Sequence, residues 1–149
     1  MKFTLIEMMA VITITSFLLV MVISVRFGGA GVNSKRAQVG ELIEAAKMAN
    51  ILTAEDSTVT NNGMDVTATY YEHTGNGTTA QITRTIQLNG VLLQMFRGPD
   101  PVSSFTFRQF EVFPSGAEVR LEMSTPKDKG GVIRVNSFTG KLSYYEAAQ

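Results

Sequence analysis

The chain contains no cysteine and no tryptophan, a single histidine and only four prolines in 149 residues. Without cysteine there are no disulfides, no thiolate metal sites and no thiol nucleophile. With His73 alone, a multi-histidine metal cluster is excluded. A Ser-His-acid triad would have to rest on this one residue, in a Gly/Asn/Thr-rich stretch suited to a solvated loop. Charge of one sign is missing too: 13 Lys and Arg balance 13 Asp and Glu, so no basic footprint for nucleic acid appears. A hydrophobic content of 44% suits a folded chain with one modest core, not a disordered one.

The carboxylates do not gather into a metal site. Asp56, Asp65, Asp100 and Asp128 are scattered, and Asp128 sits between Lys127 and Lys129, which opposes a cation. Gly75-Asn76-Gly77 and Gly28-Gly29-Ala30-Gly31 lack the Lys-Ser/Thr and strand-to-helix context of a phosphate loop. Asn76-Gly77-Thr78 fits a glycosylation sequon and marks an exposed turn. No catalytic, metal or cofactor residue is assigned, and neither a small-molecule substrate nor nucleic acid is expected as a partner.

What the chain does have is a long apolar run. Met8 to Val25 is 18 residues without a formal charge, bounded by Glu7 and Arg26. At about 1.5 Å per residue it spans roughly 27 Å as a helix, against about 30 Å for the hydrocarbon core of a bilayer. The reading is a transmembrane helix from Met8 to Val25, in which Thr13, Thr15, Ser16 and Ser24 return their hydroxyls to carbonyls a turn earlier. Too long an apolar run and a basic region of Lys2 alone make it a poor cleaved secretory signal. Glu7 is the anomaly. An acid at the centre of a membrane helix costs about 2.5–3.5 kcal/mol, less near the interface, and such a group is normally paired.

Phe3-Thr4-Leu5-Ile6-Glu7, directly before that run, resembles the start of mature type IV pilins and type II secretion pseudopilins. The resemblance implies that a prepilin peptidase cuts before Phe3 and methylates its amine. It also implies that Glu7 pairs with the N-terminal amine of a neighbouring subunit, making Phe3 and Glu7 the assembly residues. A buried ion pair that sets register is among the better-attested uses of such pairs. The family places glycine before the cut, where this chain has Lys2.

Glycines 28, 29 and 31 soften or break the helix. Val39, Leu42, Ile43, Ala46 and Ala49 then recur at three-to-four spacing and predict an amphipathic helix, capped by Asn33 or Ser34. Strands are expected within Met64–Tyr71 and Thr79–Leu88, with Asn89-Gly90 as a hairpin turn into a return strand at Val91–Phe96. "FTFRQFEVF", Val119–Met123 and a hairpin around Phe138-Thr139-Gly140 supply the rest. The segment "FEVFPSGAEVRLEM…GGVIRVNSFTGKLSYYE" is similar to the C-terminal half of the GspH/FimT minor pseudopilins and minor pilins.

The expected organisation is a short leader at 1–2, a transmembrane and assembly helix at 3–27, a glycine-rich break at 28–33, an amphipathic helix at 34–55 and a periplasmic β domain at 56–149. The fold class is α+β and pilin-like: a long N-terminal membrane helix packed against a C-terminal antiparallel β domain of two small sheets. The resemblance implies a minor pseudopilin of a type II secretion system, single-pass in a bacterial inner membrane. Its partners would be other pseudopilins or pilins in a hetero-oligomeric filament, the prepilin peptidase and inner-membrane lipid. A FimT-like minor pilin for adhesion, motility or DNA uptake is the alternative, and a membrane-tethered enzyme or ligand binder is a further one. The final residues, Ser143 to Gln149, carry no Lys or Arg, which counts against the phosphate contacts of DNA uptake.

Overall fold

The computed structural model describes residues 6, 8, 9, 11–16, 31–108, 117–136 and 138–146. Two compact units divide the chain, Met1–Gly31 and Val32–Gln149. In the first, the described residues up to Ser16 are helical and exposed, Ile6, Met9, Val11, Ile12 and Ile14 all by more than half. Hydroxyls here bond back as expected: Thr13 Oγ1 donates to the Met9 carbonyl at 2.8 Å and Thr15 Oγ1 to that of Val11 at 2.6 Å.

The described residues of the second unit are mostly β, with one helix among them. Helix α1 (Val32–Thr53) starts ahead of both predicted caps, so Asn33 and Ser34 lie in its first turn. Its apolar stripe is the predicted one, Val39, Leu42, Ile43, Ala46 and Ala49, all buried. At the C-terminus the Ala54 amide donates to the Asn50 carbonyl at 2.9 Å, and Asn50 Nδ2 donates to the Glu55 carbonyl at 2.7 Å. This closure puts Ala54 at φ 60°, the left-handed conformation usually given to glycine.

Nine strands follow: β1 (Ser57–Asn61), β2 (Asp65–His73), β3 (Thr79–Gln87), β4 (Leu92–Arg97), β5 (Asp100–Val102), β6 (Ser104–Phe107), β7 (Val119–Thr125), β8 (Asp128–Val135) and β9 (Leu142–Glu146). They form two antiparallel sheets, ordered β3-β2-β1-β6 and β5-β4-β7-β8-β9. Alternation sends Val59, Val66, Ala68, Tyr70, Phe105 and Phe107 of the first sheet inward. Leu93, Met95, Val119, Leu121, Met123, Ile133 and Val135 come from the second. Together with the stripe of α1 these belong to a single core. The helix contacts both sheets, chiefly through β2 and β8.

Several expectations are corrected. The long N-terminal membrane helix packed on a β domain is not found: among the described residues no helix is long and apolar enough to cross a membrane. The helix that does pack on the sheets is α1, whose 22 residues include Lys35, Arg36, Glu41, Glu44 and Lys47. It is two-faced, and one face is committed to the core. The single-pass inner-membrane placement, with a periplasmic C-terminal domain, is overturned by the same finding. Residues 1–5, 7, 10 and 17–30 lie outside the described residues, and with them the leader, the glycines of the break before Gly31 and Val25 as the end of the span. The Pro-Ser-Gly turn at 114–116 and the end of "FTFRQFEVF" lie outside them as well.

Asn89-Gly90 makes the turn but not the hairpin. Asn89 at φ 48° and Gly90 at φ 85° are both left-handed, and the Val91 amide reaches the Leu88 carbonyl at 3.2 Å. This is the geometry that normally joins paired strands. Here Leu88 and Val91 are both buried, and the turn passes the chain from β3 in one sheet to β4 in the other. β1 was not foreseen, because "STVTN" offers a single apolar residue, Val59, to the alternation.

The strained cap gives a test. Ala54→Gly should stabilise the chain by about 0.5–1 kcal/mol, since the left-handed conformation costs roughly 1–2 kcal/mol for a residue with a Cβ and glycine returns part of that as chain entropy. Denaturant unfolding of the two chains measures the difference.

Candidate functional site

Of the residues singled out in the sequence, Phe3 and Glu7 lie outside the described residues, as does Val25. Met8 is described; it is helical and 53% exposed. The scattered aspartates keep apart. Asp56 faces Arg108 at 3.4 Å, Asp128 Oδ1 caps its own turn by accepting from the Gly130 amide at 2.8 Å, Asp100 opens β5, and Asp65 begins β2 beside the Asn62 turn. Among the described residues no group of three or more His, Asp or Glu side chains could hold a metal ion.

His73 ends β2, and its Nε2 lies 3.0 Å from the Leu52 carbonyl in the last turn of α1. It borders an open, largely apolar cleft of about 310 Å³ formed by Ala45, Met48 and Leu52 of the helix with Tyr70, Tyr71 and Arg84. One ring nitrogen is thus engaged with the helix end, and among the described residues no carboxylate or hydroxyl is hydrogen-bonded to the ring to orient it as a base. A wider groove of about 630 Å³ runs from Gly63 and Met64 to the Asn89-Gly90 turn, with Asp65 as its one titratable side chain.

The most organised polar contacts join α1 to the second sheet. Arg36 Nη1 donates to the Tyr145 carbonyl of β9 at 2.8 Å, and Lys47 Nζ reaches the Gly140 carbonyl at 3.5 Å while pairing with Glu44 at 2.5 Å. Between them the Tyr144 ring lies on Gly40: a Cβ there would fall 2.1 Å from the phenol oxygen. Tyr144 is therefore seated by the absence of a side chain in mid-helix. Burial, then Glu44 and Glu41, push its phenol above the ordinary value of about 10, with Arg36 acting against them.

The outward face of the first sheet carries a pattern that the sequence also shows, as Thr58-Val59-Thr60, Thr67-Ala68-Thr69, Thr83-Arg84-Thr85 and Ser104-Phe105-Thr106. The register aligns these into two rungs, Thr106-Thr58-Thr69-Thr83 and Ser104-Thr60-Thr67-Thr85. Neighbouring hydroxyls bond within the rungs, Thr58 to Thr106 at 3.1 Å and Thr67 to Thr85 at 3.2 Å. The corresponding face of the second sheet is charged instead, with Arg120 paired to Glu122 at 2.7 Å and Arg134 over the Tyr145 ring at 4.9 Å. Threonine at alternate positions was the available signal; read as strand propensity alone, it says nothing of alignment.

Comparison with protein-family models, with curated proteins and with solved structures finds no match to this chain.

Two measurements probe the seat of Tyr144. Gly40→Ala gains helix propensity of about 1 kcal/mol but collides with the ring. In a double-mutant cycle with Tyr144→Ala the two changes should couple by about 1–3 kcal/mol, and Gly40→Ala should stabilise once the ring is gone. The raised phenol value fixes the sign of a pH effect. The folded chain holds this proton more tightly than the unfolded one, so its contribution is complete below pH 10 and is lost as pH rises through the folded value. Tyr144→Phe should flatten the fall in stability above about pH 10, measured by urea unfolding across that range.

Proposed function

We propose that the chain is a pilin-like structural subunit, of the GspH kind of minor pseudopilin, which assembles into a filament through its N-terminal segment to support protein export. The observation that carries this reading is Phe3-Thr4-Leu5-Ile6-Glu7 placed directly before an 18-residue uncharged run. A five-residue match at that position is specific, because the acid has no use to an apolar segment unless a cation meets it. In this reading the cation is the amine of the neighbouring subunit, and prepilin peptidase exposes it by cutting before Phe3.

The described part of the N-terminal unit adds support. Ile6 is 79% exposed, Met9 63% and Ile12 61%. Exposed apolar side chains in helical array suit a segment that is completed by neighbours. The partners are accordingly other pseudopilins or pilins, and the work is mechanical: it needs surfaces, not a reaction centre.

Glu7→Ala is the test, followed both for incorporation into filaments and for export. Loss of incorporation with normal protein levels is expected. Unchanged incorporation sinks the proposal, since a simple tether would tolerate the loss of the acid. Mass analysis of the N-terminus should find methyl-phenylalanine at Phe3; an intact Met1 would mean that Lys2 is not accepted at the cut.

A further inference from the structure

We infer that β3 is a strand-addition edge, and that its occupant is β3 of a second copy of this chain, paired antiparallel about Thr83. The inference rests on the β unit and is independent of the Phe3–Glu7 reading.

Open sheet edges are normally guarded by shortness, proline, charged side chains, a bulge or a covering group. Three of the four edges here are guarded. β5 is three residues long and contains Pro101. β6 has four residues. β9 has five, and Arg36 donates to its Tyr145 carbonyl. β3 has only one of these, the charge of Arg84. It is nine residues long, "TAQITRTIQ", with no proline and no lysine, and it pairs with β2 without a register shift from Thr79 to Gln87. Among the described residues no strand pairs with its outer side. Its one charge is Arg84.

Side-chain chemistry selects a second copy as occupant, and it selects the register. Pairing about Thr83 overlaps all nine residues. It sets Thr83 opposite Thr83, Gln81 opposite Thr85 and Ile82 opposite Arg84. The first of these continues the rung Thr106-Thr58-Thr69-Thr83 into the same rung of the other copy, by the threonine pairing that already joins β2 to β3 and β1 to β6. A shift to pairing about Arg84 would put like charges face to face. In the favoured register each Arg84 lies against an isoleucine and keeps its place beside Glu41 of α1, with which it lines a cleft. The product is an eight-stranded sheet with an uninterrupted hydroxyl face and no long edge left open.

The cysteine-free sequence makes the test direct. The full chain in mild detergent should sediment as a dimer, and Thr83→Cys should oxidise to a disulfide-linked dimer. Directly opposed residues stand about 4.5–5.5 Å apart at Cα, within disulfide reach. Gln81→Cys should cross-link on the order of tenfold more slowly, because its counterpart lies four residues, about 13 Å, along the strand. Thr83→Lys should abolish the dimer while leaving the circular dichroism unchanged, and Glu7→Gln should leave the Thr83→Cys cross-link intact. The inference is overturned by a monomeric full chain, by equal cross-linking at 81 and 83, by a dimer that survives Thr83→Lys, or by a cross-link lost with Glu7→Gln, which would assign the contact to the N-terminal segment.

Discussion

One helix has to complete two sheets, and the architecture of the β unit follows from that constraint. An antiparallel sheet of four or five strands has an apolar face to bury, and α1 offers both sheets the same stripe, Val39, Leu42, Ile43, Ala46 and Ala49. Those side chains are small or branched, so strands approach the helix closely. Gly40 takes this furthest, since the Tyr144 ring occupies the space a side chain would need. The polar contacts of Arg36 and Lys47 with backbone carbonyls near β9 then orient the helix along the second sheet. Apolar burial supplies the driving force here, and the directional bonds fix the placement.

The two sheets present contrasting faces, one a neutral lattice of hydroxyls and methyls, the other a mixture of Arg, Glu and aromatic side chains. The N-terminal unit adds a third surface of another character, in which apolar residues stand exposed along a helix. The cleft beside His73 has no comparable order. Its histidine is tied to the end of a helix, a structural use that keeps β2 and α1 together at their far ends.

Local patterning was readable in the sequence where it coincided with tertiary demand. The stripe of α1, the strands β2 and β3 and the β8–β9 hairpin follow from apolar spacing and turn chemistry, because the same residues meet the core. Pairing across the sheets was not readable. Asn89-Gly90 has the dihedral angles of a hairpin turn, yet Leu88 and Val91 on its flanks are each pulled into the core, and the strands beyond them part. A dipeptide encodes its own conformation and not the partner of the strand that follows. The long membrane helix was inferred from hydropathy over 8–25. Among the described residues the helix that packs on the sheets carries five formal charges, and no apolar stretch qualifies as a span. The assembly residues rest on a motif alone. By contrast, the threonine rungs needed the register, which no single strand contains.

The strand order also interlaces the two sheets along the chain. β6 completes the first sheet beside β1, but it follows β4 and β5 in the chain, and those belong to the second. Neither sheet can therefore close as an independent unit. The loop to be closed, from β1 to β6, is more than forty residues long and contains two strands of the neighbouring sheet. Closing it costs chain entropy before the core repays it. A break in the polypeptide between β3 and β4 would leave two halves, each lacking something only the other supplies, and the fragments would be expected to regain structure by recombining and not singly.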